Sequence, residues 1–180
     1  MGVSMSLKSR ADRYGAVAVS IHWLSAILLL VLLGSGFRAA NAASTVAKAE
    51  LLRLHVPVAI AVLLLIVLRI VWWFAFDKRP DGVPGSPAWQ EFVARGVHLL
   101  FYVVILGMIA SGIGMIAISG AARAIFGGAT LPDFWTYPPR LPHGVGAKLL
   151  VGLLVLHVAA ALYHHFVVRD GLLWRMWFDR

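Results

Sequence analysis

Seven histidines, at positions 22, 55, 98, 143, 157, 164 and 165, are the residues of this 180-residue chain whose type and spacing can do chemistry. All of them fall within or at the ends of long apolar stretches. An imidazole in lipid is costly unless it faces other protein and finds a partner, so each is a candidate for function, with an ordinary interhelical hydrogen bond as the alternative for any single one. His143 and His157 are 14 residues apart. On an α-helix that spacing keeps both on one face to within about 40°, separated by about 21 Å along the axis. If the first stretch rises and the second descends, His22 comes to the level of His157 and His55 to the level of His143. Two cross-helix imidazole pairs result, at two depths.

Two imidazoles are too few for a zinc or copper site, which wants three or four protein ligands. The chain has no cysteine, and its apolar stretches contain no carboxylate. A planar cofactor that brings four nitrogens of its own needs only two more, so each pair can clamp one haem iron. Lack of cysteine also excludes disulfides, iron–sulfur clusters and covalent haem attachment, so any haem here is held non-covalently, as expected of two b haems. Arg69 stands 14 residues after His55, on the same face and about 21 Å deeper, where it can meet a haem propionate or reach past it to lipid head groups. Gly34, Gly36, Gly107, Gly112 and Gly114 can thin the walls around a porphyrin or simply pack helices.

The elements that position these residues are set by a composition that is 61% hydrophobic and 13% charged, with a mean hydropathy of +0.84. Such a chain has lipid as its solvent. Four apolar stretches, Ala16–Phe37, Leu54–Phe76, Val97–Ile118 and Leu149–Val168, are each long enough to cross a bilayer. Helices are the form that satisfies their backbone, so the fold class is an all-α, integral membrane four-helix bundle in a single domain. The basic leader from Lys8 to Arg13 precedes a run too long for a cleaved signal, which is expected to stay in the membrane. Ten Lys and Arg residues lie on the side of the termini, Arg69 and Arg180 among them, against six on the other side. This asymmetry predicts cytoplasmic N- and C-termini. Pro80, Pro84 and Pro87 mark the second connection as a loop; the third, Ser119–Pro142, is expected to cap the outer surface, and the tail from Gly171 to lie along the inner interface. The net charge of +8 sits at helix ends, where lipid head groups and propionates are better partners than nucleic acid. No internal repeat stands out.

The segments Ser20-Ile21-His22-Trp23-Leu24, His55, and His143 through His157-Val158-Ala159-Ala160-Ala161-Leu162 to His164-His165 resemble the bacterial cytochrome b561 family. The similarity runs from about Tyr14 to Met176 and extends to the di-haem subunits of membrane-bound hydrogenases and formate dehydrogenases. It implies haem ligation by His22, His55, His143 and His157, in agreement with the spacing, while His98 matches a histidine that family members can carry without ligating. It further implies a bacterial inner-membrane location.

With both axial positions filled there is no open site for oxygen, and one-electron transfer remains. At the inner side His164 follows His157 on the same helical stripe and, with Ser20, can hydrogen-bond a quinone carbonyl; an interfacial role is the alternative for His164 and the preferred one for His165. At the outer side Lys48, Arg53, Arg140 and Lys148 face only Glu50 and Asp133. They form a positive rim that can steer small anions or bind propionates and lipid. The resemblance implies superoxide as donor to the outer haem and ubiquinone as acceptor at the inner one. A second expectation is a haem-bearing anchor passing electrons from a soluble dehydrogenase or hydrogenase, some other redox protein, to quinone. A third is a non-redox transporter or structural bundle.

Overall fold

The computed structural model describes residues 6–83 and 85–177; Pro84 and Arg180, both used in the sequence expectations, lie outside the described residues. Four helices are long and apolar enough to cross a membrane: α1 (Ala16–Ala40), α2 (Thr45–Val71), α3 (Ala88–Ser119) and α5 (Arg140–Tyr163). A short α4 (Ala121–Gly127) lies between α3 and α5. Among the described residues there is no strand. Side chains such as Leu64, Phe92, Val155 and Leu156 stay exposed, an apolar outer surface that suits lipid and not water.

Each helix runs beyond the apolar stretch that announced it. α2 starts well before Leu54 because Ser44 caps it, accepting a hydrogen bond from the Ala47 N–H, and because Ala47, Lys48, Ala49 and Glu50 are good helix formers at no cost outside lipid. His55 is therefore inside α2 and does not open it. α3 starts at Ala88, behind Pro87, and its polar first turns hold a Glu91–Arg95 ion pair at 2.7 Å. α5 starts at Arg140, so Pro142, read as the end of a loop, sits in the first helical turn, where its missing N–H costs nothing. α2 and α5 also continue past their last α-helical residue as single π turns, Trp72–Phe76 and His164–Val168.

α1 packs chiefly on α2, and α3 on α5. The two hairpins meet in a core of Leu29, Val62, Ile66, Ile105 and Leu150. This arrangement corrects the expectation that the chain has no internal repeat. His22, Leu29, Ser35 and Gly36 of α1 have counterparts 76 residues later in His98, Ile105, Ser111 and Gly112 of α3; His55 and Val62 of α2 have counterparts 88 residues later in His143 and Leu150 of α5. The repeated core positions are among the most buried: Val62 is 0% and Leu150 2% exposed, Leu29 and Ile105 both 7%. Each hairpin also closes alike, with an aspartate after the π turn accepting a hydrogen bond from the turn's first side chain: Trp72 to Asp77 at 3.1 Å and His164 to Asp170 at 2.5 Å.

The two ends of the bundle differ. At the connection end, Gly120 and Gly128, with φ of 67° and 78°, bracket α4 in a left-handed backbone that only glycine adopts without strain. The inserted segment packs Ala121, Ala124, Ile125, Leu131 and Phe134 against Leu52 and Val56 of α2 and Met115 of α3. The expected cap is thus a small second core. At the termini end three segments are tied together. Ser9 donates through its N–H and its hydroxyl to Asp77, and Arg175 donates to the carbonyls of Ala11, Asp12 and Asp81. Trp23 Nε1 donates to the Met176 carbonyl at 2.8 Å, which holds the tail across this end.

Candidate functional site

The structure brings the histidines together in the pairs the spacing predicts. The rings of His55 and His143 have their centres 6.2 Å apart at the connection end, and those of His22 and His157 are also 6.2 Å apart at the termini end. Neither pair is hydrogen-bonded across the gap. Two imidazoles on opposite sides of one metal, with metal–nitrogen bonds of about 2 Å, have their ring centres about 6 Å apart. The gaps therefore fit one metal each.

The hydrogen bonds at the connection end decide which nitrogen faces the gap. The Ser35 hydroxyl donates to the Val31 carbonyl at 2.7 Å, so its oxygen is left to accept from His55 Nδ1–H, at 3.0 Å. Ser111 repeats this: its hydroxyl donates to the Met108 carbonyl at 2.9 Å, and its oxygen stands 3.1 Å from His143 Nδ1. His143 Nδ1 is also 2.9 Å from the Met108 carbonyl itself, and the Leu32 carbonyl, three residues before Ser35, faces His55 in the same way. A carbonyl can only accept, so Nδ1 carries the proton and the lone pair of the neutral ring is on Nε2, free for a metal. Such a donor set suits a bis-imidazole iron. Gly36 and Gly112 complete the arrangement, since a Cβ on them would lie 3.1 Å and 3.4 Å from the Cε1 atoms of His55 and His143. Of the other glycines expected to thin the wall, Gly114 abuts Pro139, and Gly34 and Gly107 have open space beside them.

The termini end is built otherwise. His157 has the His98 ring 5.5 Å away on one side and Phe101 5.5 Å away on another. His98 Nδ1–H donates to the Ala94 carbonyl of its own helix at 2.6 Å. Arg69 lies within electrostatic reach of His22, His98 and His157, on α2 at the position that corresponds to His157 on α5. No hydrogen bond or ion pair fixes its guanidinium among the described residues, as suits a group awaiting an anion. His164 and Ser20 are not joined by a hydrogen bond. His164 is instead held by Asp170, with both side chains mostly enclosed, at 18% and 12% exposure. Burial raises the Asp170 carboxyl, but hydrogen bonds from the His164 ring and the Leu172 N–H hold it below its ordinary range. His165 packs on Phe166 and Trp174, an interfacial setting.

The cations of the connection end are only partly a rim. Arg53 Nε donates to the Ile125 carbonyl at 2.5 Å, Lys48 lies over the Phe134 ring, and Arg140 stacks on Trp135 at 4.2 Å. None is neutralised by an ion pair among the described residues, so their charge stays at that end. Lys148, five residues after His143, lies about 140° around α5 from it, and its side chain is exposed.

Sequence reasoning missed Ser35, Ser111 and Asp170. The signal was present in the shared dipeptides Ser35-Gly36 and Ser111-Gly112, each 13 residues after a histidine.

A bundle of membrane-spanning helices with half-buried imidazole pairs, each spaced to take one metal, suits a membrane electron carrier. Comparison with known proteins identifies the kind: residues 13–179 match the prokaryotic cytochrome b561 family, and the chain belongs to it. Cytochrome b561 homolog 2 of Escherichia coli strain K12 is 26% identical over 96% of this chain and 95% of its own length. The probable superoxide oxidase CybB of Yersinia pestis is 25% identical over 91% and 95%, and cytochrome b562 of Cereibacter sphaeroides 32% identical over 68% and 65%. The chain is thus a bacterial membrane protein of electron transfer, and the family implies b-type haem.

Proposed function

We propose that the chain is a di-haem b cytochrome carrying single electrons between a donor at the connection end, superoxide, and ubiquinone at the termini end. The observation that carries this proposal is the pair of equal 6.2 Å gaps between imidazoles from different helices. His55 and His143 would hold one haem, and His22 and His157 the other. Haem b held by these residues would supply a one-electron couple. Lys48, Arg53 and Arg140, which have no ion pair among the described residues, keep positive charge where a small anion would arrive. The name given to the Yersinia relative, probable superoxide oxidase, agrees with that donor.

At the other end Arg69 would neutralise a propionate. Ser20, exposed on α1, and the Nε2 side of His164 are the groups offered to a quinone carbonyl, with Asp170 orienting the imidazole. Each superoxide gives up one electron and leaves as dioxygen; two such electrons and two protons convert ubiquinone to ubiquinol. The excess of Lys and Arg at the termini end favours an inner-membrane orientation with cytoplasmic termini. Mixing superoxide in a stopped-flow device with the quinone-loaded protein tests this. One ubiquinol per two superoxides is expected, and haems that stay oxidised exclude superoxide as donor.

A further inference from the structure

We propose that the two Ser-Gly dipeptides, Ser35-Gly36 and Ser111-Gly112, are positioning residues that fix the Nδ1-protonated form of His55 and His143 and thereby lower the reduction potential of the connection-end haem relative to the other. The inference rests on the ligand assignment above and goes beyond it by saying what sets the chemistry of one site.

Three observations converge on it. The dipeptide occurs once in each hairpin at matching places, 76 residues apart, and each copy serves the histidine of its own hairpin partner, α1 for His55 of α2 and α3 for His143 of α5. Each serine spends its proton on a carbonyl of its own helix, so it can act toward the imidazole only as an acceptor. Each glycine puts backbone where a Cβ would press on the same ring, at 3.1 Å and 3.4 Å. Serine and glycine thus fix the same Nδ1–Cε1 edge of one ring, by a hydrogen bond and by close contact. An imidazole that donates Nδ1–H to a hydroxyl oxygen and a carbonyl together becomes a more electron-rich ligand, which favours the oxidised metal. At the termini end no acceptor serves His22 or His157 among the described residues, and Arg69 adds positive charge that favours the reduced metal. Both differences push the two potentials apart in the same direction, so that an electron entering at the connection end runs downhill.

The test is a spectroelectrochemical titration of the purified holo-protein carrying Ser35→Ala, Ser111→Ala, or both, with haem content measured alongside. Each single variant removes one of the two acceptor oxygens on one ring. It is expected to shift one of the two titration waves upward by up to about tenfold in the ferrous-to-ferric balance, which is ~59 mV for a one-electron couple. The double variant is expected to move that same wave further and leave the other in place, and Ser111→Thr, which keeps a hydroxyl, to restore the native value. Because both serines act on one haem, waves that move one each, or not at all, overturn the proposal. Failure of the ligand assignment reads differently: His55→Ala protein retaining two haems per chain would remove it whatever the serines do.

Discussion

The two ends of the bundle are built from the same repeated hairpin and have diverged to different degrees. At the connection end each hairpin contributes the same things, one histidine and one Ser-Gly pair, and the site is close to two-fold symmetric. At the termini end the first hairpin gives His22 and Arg69 where the second gives His98 and His157. Three imidazoles and one cation stand where symmetry would have placed two matched pairs. A symmetric dimer-like unit would hold two equal cofactors and no built-in direction. Substituting a charged for a neutral side chain at one of four equivalent places is enough to make the levels unequal, because a unit charge inside a low-dielectric bundle acts over several ångströms.

The largest expected effect separates the ends outright. His143→Ala and His157→Ala should each reduce the haem content from two per chain to one, measured as pyridine haemochrome. A variant that loses both haems would mean that the two sites fold as one and that the comparison of ends has no energetic basis. A smaller effect is expected at the glycines of the symmetric end. Gly36→Ala drives a methyl group to 3.1 Å from His55 Cε1, and Gly112→Ala to 3.4 Å from His143 Cε1, whereas at Gly34 there is nothing within 4 Å. Alanine favours a helix over glycine by about 1 kcal/mol, so Gly34→Ala should raise thermal stability. Gly36→Ala should lose haem on dilution several-fold faster than native protein, with Gly112→Ala between them. Equal behaviour of all three would show that the close contacts do not hold the rings.

The pairing of the histidines was legible because it depends on two things a sequence carries, the 14-residue helical spacing and the alternation of direction between successive spans. His55–His143 and His22–His157 follow from these alone. The polar partners were not legible. A serine inside an apolar helix bonds its own carbonyls in any event, and whether its oxygen also meets a histidine depends on the rotation of one helix against another. Asp170 was missed because it reaches His164 only through a π turn and a left-handed Arg169, with φ of 59°, and neither leaves a pattern in the residues. The repeat was hidden by its background: the shared His, Ser and Gly positions lie among leucines, valines and isoleucines that resemble one another at every offset. Helix lengths were underestimated wherever polar residues extended a helix beyond lipid, as at Thr45 and Ala88.

Arg69 offers the sharpest probe of how far the broken symmetry matters. Arg69→Leu removes the cation while keeping bulk, and should lower the potential of one haem alone, by about 1 to 2 kcal/mol or roughly tenfold in its redox balance at an effective dielectric near 20. The wave that moves should be the one left unmoved by Ser35→Ala and Ser111→Ala. A common shift of both waves would mean that the charge is felt through the whole bundle and that the ends are not independent.

The smallest effect concerns how the termini end is held shut, where the hairpins again correspond. Asp77 and Asp170 each follow a π turn. Burial raises both carboxyls, but hydrogen bonds outweigh it: from Ser9, Lys78 and Trp72 at Asp77, and from His164 and Leu172 at Asp170, leaving both below the ordinary value of 3.8. A carboxylate depressed in the folded state contributes its stabilisation fully above that ordinary value and loses it as pH falls through the lower, folded value. As pH falls below the ordinary carboxyl value the leader from Ser6 and the tail from Gly171 should therefore loosen, seen as faster amide hydrogen exchange, while α4 and the cap at the connection end, which are held by apolar packing, keep their protection. Asp77→Asn should bring the loosening of the leader to neutral pH and Asp170→Asn that of the tail, each in a small, local way, since the exchange of the membrane-spanning segments does not depend on either carboxylate.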